Sequence, residues 1–219
     1  MNLIRIINKF NLLSTVIKEF IDGLLQSDAP GPAISFSVFD LVKAIELISK
    51  RGPIGRGKLS EEIGLGAGAV RTLIKRLMNS DLITTSGHGC ALTDKGKDLW
   101  EKISLIMPKK VILEKNELVS SRVNVAVIVK EGVERVINGI FQRDAAVRAG
   151  AEGATTIIYK DGKMAIPMVS SDLSDNFPEL HRQLIQALKP KDGDIIIIGS
   201  GKDRKSAEYG ALAAVWTII

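Results

Sequence analysis

Arg71, Thr72, Lys75 and Arg76 are the residues best placed to do chemistry. They lie in a segment whose apolar members, Val70, Leu73, Ile74, Leu77 and Met78, recur at helical spacing. At about 100° per residue, the opposite side carries Ala69, Thr72, Lys75, Arg76 and Asn79, with Arg71 on the border. Cations and a hydroxyl on a slender helical face can hold phosphates or read base edges in a major groove. Arg51, Arg56 and Lys58, just upstream, suit sequence-independent backbone contacts. His88, inside Gly87-His88-Gly89, either approaches a minor groove or is simply solvated. A second group is Gly199-Ser200-Gly201-Lys202, which follows the run Ile195-Ile196-Ile197-Ile198 and precedes a helix near Asp203. Glycines there let backbone N–H groups approach a small anionic effector, and a helix start favours negative charge. The Walker A spacing is absent, and a tight strand-to-helix turn explains the same residues equally well.

Other chemistries find little support. His88 and His181 have no evident nucleophile partner, and Cys90 has no recognisable base, so no catalytic residues and no enzyme are expected. No cofactor is implied. A single cysteine forms no intrachain disulfide, and no His/Cys cluster exists to hold a metal. Gln142-Arg143-Asp144 and Arg148 read as surface salt bridges. Charges interrupt the apolar N-terminus before it approaches the ~18 residues of a membrane span. A soluble, cytoplasmic protein without a membrane partner is the expectation.

The net charge of +5 is unevenly distributed over the 219 residues. From Lys50 to Arg76 seven cations face Glu61 and Glu62, a surplus equal to that of the whole chain. Such a cluster is the electrostatic footprint of phosphate binding or, more blandly, a solvated face.

These residues need elements to position them. Residues 1–30 read as a helix for dimerisation, because Leu3, Ile6, Phe10, Leu13, Ile17, Phe20 and Leu24 form a heptad-like stripe. Packing within the subunit is the alternative. Ser27 to Pro32 breaks this helix. Residues 31–108 read as helix, helix, glycine turn, basic helix 67–79, two short strands around Gly87-His88-Gly89, and a closing helix. That order is a winged helix-turn-helix. Residues 109–121 read as a polar linker with a short strand at Val111 to Leu113. In residues 122–219 the order β-α-β-β-α-β plus a terminal helix, with the first helix over residues 132–149 and a return strand over residues 164–169, predicts a ferredoxin-like α/β sandwich, with the hairpin turn at Asp161-Gly162. The fold class expected overall is α+β.

Residues 36–106 resemble the winged-helix regulators of the multiple-antibiotic-resistance type. The resemblance rests on Leu59-Ser60-Glu61-Glu62-Ile63-Gly64-Leu65, on Ala69 to Leu77, on Asp81-Leu82-Ile83 and on Leu92-Thr93-Asp94-Lys95-Gly96, where Thr93 can cap a helix. Ala67-Gly68-Ala69 replaces the usual Ser/Thr cluster. The whole layout resembles archaeal two-domain winged-helix proteins of unassigned function. The resemblance implies a homodimeric transcription regulator on double-stranded DNA, with a C-terminal domain for sensing or assembly. A winged-helix scaffold that binds protein, and a phosphate-handling α/β enzyme, are the rival readings.

Overall fold

The computed structural model describes residues 3–26, 34–118 and 121–219, with side chains from residue 10 onward. The chain forms two compact units, Thr15–Ile103 and Met1–Ser14 with Ser104–Ile219.

In the first unit, α1 (Leu3–Gly23) contributes its C-terminal part. Of the expected dimer stripe, Leu3 and Ile6 have side chains outside the described ones, as does the break at Ser27 to Pro32. Leu13 is half-buried, and Ile17 and Leu24 are buried together with Ile21. Phe10 and Phe20 are half-buried like Leu13, so the described stripe is covered in part by the chain itself. α2 (Val38–Arg51) opens with a capping box: the Asp40 N–H donates to Ser37 Oγ, and the Ser37 N–H donates to Asp40 Oδ2 at 2.7 Å. Ile54 then forms an antiparallel bridge with Cys90, a pairing that local sequence pattern does not signal. α3 (Arg56–Ile63) and α4 (Ala67–Asn79) follow, and α4 buries Val70, Leu73, Ile74 and Leu77. β1 (Ile83–Ser86) and β2 (Gly89–Leu92) form an antiparallel hairpin in the register Ile83 to Leu92. α5 (Asp94–Ile106) begins where Thr93 Oγ accepts the Gly96 N–H at 3.0 Å. Gly96 is required there, since a Cβ would lie 2.0 Å from the Leu82 carbonyl oxygen.

The second unit is built on a five-stranded antiparallel sheet. Its strands are β3 (Lys109–Ile112), β4 (Val123–Val129), β5 (Gly153–Lys160), β6 (Lys163–Ala165) and β7 (Ile195–Gly201), in the spatial order β3-β4-β7-β5-β6. Its helices are α6 (Ile140–Arg148), α7 (Leu173–Asn176), α8 (Pro178–Leu188) and α9 (Arg204–Val215). Asp161 and Gly162 both take positive φ, 52° and 75°, as a two-residue hairpin turn demands.

The ferredoxin-like expectation is corrected here. That arrangement leaves the last strand at an edge and both helices on one face. Ile195, Ile196, Ile197 and Ile198 are all fully buried, so β7 needs a strand on each side and a helix layer on each face. β4 and β5 supply the strands. Leu180, Leu184 and Leu188 of α8 join Ile196 and Ile198 in one core, while α9 packs on the opposite face with α6.

Three smaller expectations also change. The short strand expected at Val111 to Leu113 is β3, beginning two residues earlier and paired with β4 from Lys109–Ile128 to Ile112–Val125, so it belongs to the sheet rather than to a linker. The helix expected over residues 132–149 is a 3-10 turn, Val133–Arg135, and then α6, separated where Gly139 takes φ 77°. The return strand ends at Ala165, and Ile166 bridges back to Ser170 around Met168, whose φ is 65°.

Candidate nucleic-acid interface

Helix α4 and the β1–β2 hairpin enclose a groove of about 560 Å³. α4 contributes Arg71, Ile74, Lys75, Met78 and Asn79 at one-turn spacing along a single side. Thr85 to Cys90 form the hairpin wall, and Gly55 and Arg56 close the end beside α3. Four expected residues thus meet in one place: Arg56, Arg71, Lys75 and His88. All four are exposed, and Arg56, Arg71 and Lys75 form no ion pair among the described residues.

The remaining expected contacts are placed otherwise. Lys58 is exposed but pairs along its own helix with Glu61 at 2.9 Å and Glu62 at 3.5 Å, which raises its pKa. Such exposed pairs bind weakly and yield readily to a phosphate. Arg51 pairs with Glu62 at 2.6 Å and, by that hydrogen bond, holds the Glu62 carboxyl below its ordinary range. Thr72 is exposed and donates to the Gly68 carbonyl, while Ala69 is half-buried. Arg76 departs from expectation. Its guanidinium donates to the carbonyls of Leu24 at 2.6 Å and Gln26 at 2.7 Å, satisfying carbonyls left open at the end of α1. Five residues after Arg71, it has rotated off the groove side and become a brace for α1.

Met78 was expected in the core, yet it is 43% exposed and floors the groove, where Thr85 Oγ donates to its sulfur at 3.8 Å. The apolar stripe shows only that Met78 borders it, and which side wins depends on the hairpin. Cys90 is buried at the base of the groove. Desolvation pushes its thiol pKa up, and the charge of Arg56 partly pulls it back. A buried, protonated thiol is a packing residue rather than a nucleophile.

The second candidate site is not a cradle. Gly199 and Gly201 belong to strand β7, and neither takes positive φ. A Cβ on Gly199 would lie 2.2 Å from the Ala207 carbonyl oxygen, and one on Gly201 would lie 2.7 Å from the Ala207 nitrogen. Both glycines exist so that α9 can press against the sheet. Ser200 lies between them in the strand, and Lys202 is exposed in the turn. Asp203 occupies the start of α9 instead of an anion: its carboxylate accepts the Ser206 N–H at 2.8 Å, and that bond lowers its pKa.

Among the described residues no group of three or more His, Cys, Asp or Glu could hold a metal ion, and no helix is long and apolar enough to cross a membrane. Residues 40–98 match the domain family described as PH0730-like, N-terminal domain, and residues 120–218 match a domain of unknown function, DUF4443. No curated protein matches the chain. A solved structure of RV1404 from Mycobacterium tuberculosis is 18% identical over 48% of this chain and 73% of that one, with a TM-score of 0.30, and bears on neither fold nor function. The hypothetical protein PH0730 from Pyrococcus horikoshii OT3, an archaeal protein, is 27% identical over 84% of this chain and 93% of that one. Its TM-score of 0.69 means that the two chains share their architecture.

Proposed function

We propose that the first unit is a winged helix-turn-helix and that it binds double-stranded DNA, making the protein a transcription regulator. In this reading α4 is the recognition helix, the β1–β2 hairpin is the wing, and Ile54 supplies the third strand of its small sheet. The observation that carries the proposal is the groove in which Arg56, Arg71 and Lys75 converge without anionic partners. Three unneutralised cations on one concave surface repel one another, and a phosphate backbone relieves that repulsion.

Binding should fall steeply with salt. Replacing Arg71 and Lys75 together by alanine should reduce the slope of log affinity against log salt by about 1.8, at about 0.9 per lost phosphate contact. Fluorescence anisotropy with a labelled duplex across a salt series measures it. An unchanged slope removes α4 from the interface.

For the second unit we favour assembly over effector sensing. The glycines that suggested an anion site are packed under α9. Ile137, Ile140 and Phe141 are 79%, 48% and 64% exposed within five residues, an apolar patch of the kind that marks protein contacts. A second copy of the chain is the occupant that a regulator reading paired half-sites requires.

A further inference from the structure

The glycines of the first unit are of two kinds. Gly52, Gly64 and Gly89 take φ of 76°, 72° and 118°, and Gly96 has no room for a side chain. The fold needs these four. Gly55, Gly57, Gly66, Gly68 and Gly87 have neither reason: none takes positive φ, and a Cβ on any of them would meet nothing within 4 Å.

Two of the unneeded glycines, Gly57 and Gly68, lie inside helices, where only proline is less favourable. Their positions are not scattered. Gly55 and Gly87 wall the groove that holds Arg56, Arg71 and Lys75. Gly57 adjoins Arg56, and Gly68 precedes Arg71 by one turn, so it continues the same stripe of α4 as Arg71 and Lys75. Gly23, at the end of α1, has equally open surroundings and does not line the groove.

We propose that Gly55, Gly57, Gly68 and Gly87 are approach points, kept bare so that the sugar–phosphate backbone of a duplex can come against the main chain around the cationic groove. The inference rests on the DNA-binding reading and deepens it. Glycine permits a partner's close approach where any Cβ would hold it off. The cations supply attraction at the groove walls, and the bare main chain sets how near the phosphates come. Positive φ or close packing accounts for the other four glycines and for none of these, although Gly55 is also the N-cap residue of α3.

The test exploits opposite signs. Gly57→Ala and Gly68→Ala should raise the melting temperature by about 2 °C, because alanine is the better helix former. The same two variants should bind a random-sequence duplex of about 30 base pairs roughly tenfold more weakly at low salt. Gly87→Ala should weaken binding without lowering the melt, and Gly23→Ala should bind as the wild type does. Variants that melt as high as the wild type and bind the duplex equally well overturn the inference. So does a fall in melting temperature for Gly57→Ala or Gly68→Ala, which would mean that the fold needs them. Loss of binding in Arg71→Ala with Lys75→Ala, alongside full binding in the glycine variants, overturns this inference alone. A wild-type protein that retains no duplex at any salt overturns the DNA reading and this one with it.

Discussion

Lys75 and Arg76 are adjacent cations that the fold assigns to different tasks. A helix turns by about 100° per residue, so Lys75 stays in line with Arg71 while Arg76 swings toward α1. One terminal nitrogen of Arg76, Nη1, donates to both carbonyls and so ties the end of α1 to α4. Arg76→Ala should therefore cost about 1 kcal/mol of stability, discounted for partial exposure, and leave the salt slope of duplex binding unchanged. Urea melts and a salt series, run side by side, separate the two cations; a reduced slope for Arg76→Ala would return it to the interface. The charge pattern made the basic segment legible in the sequence, but not which cation finds an internal acceptor. That depends on the carbonyls of Leu24 and Gln26, fifty or more residues away. The same limit hid the role of Gly199 and Gly201. Glycines beside a strand end look alike in sequence whether they receive a ligand or a helix.

Helix α8 shows how an element can take its cap from elsewhere. Its first N–H groups have no cap from Phe177; instead Glu117, from the loop after β3, accepts the N–H groups of Glu179 at 2.9 Å and Leu180 at 3.2 Å. Those backbone bonds hold the Glu117 carboxyl below its ordinary range. Glu179 is held down to about 2 by hydrogen bonds from Arg182 and Gln183, and Asp172, before α7, to about 2 by Ser174 and then Lys163. Carboxyls depressed in the folded state stabilise it fully above their unfolded values near 4, and that contribution is lost as pH falls toward 2. The second unit should lose stability in this window as Glu179 and Asp172 protonate. Replacing Glu179 by glutamine should flatten the pH dependence of its thermal melt between about pH 4.5 and 2, and an unaltered profile would remove Glu179 as a contributor. Element boundaries of this kind follow local pattern, and α4 and β4 fall where periodicity puts them. Strand order does not. The run Ile195 to Ile198 signals burial on both faces, whereas which strands flank it is decided by pairings across some forty to eighty residues.

At the scale of the whole molecule, the first question is how copies associate. The described stripe of α1 is buried at Ile17 and Leu24 and half-buried at Phe10, Leu13 and Phe20, whereas Ile137, Ile140 and Phe141 are open. Phe141→Glu should shift a dimer toward monomer in sedimentation velocity and leave the melt of the monomer nearly unchanged, since an exposed side chain carries little of the fold. A variant that sediments as the wild type does would move the contact off this patch.

The central place of β7 has a consequence for the order in which the chain is made. The residues of the first unit, Thr15–Ile103, form one continuous stretch and have all left the ribosome while the second half is still being synthesised. The sheet has no such schedule. β4 and β5 do not pair with each other; each waits for β7, the last of the five strands to be made. Until β7 arrives, the second unit is two separate strand pairs with apolar faces and open edges, the state in which nascent sheets aggregate or recruit chaperones. The proposed DNA-binding half is thus complete early, and the half proposed to assemble closes only once β7 has been made.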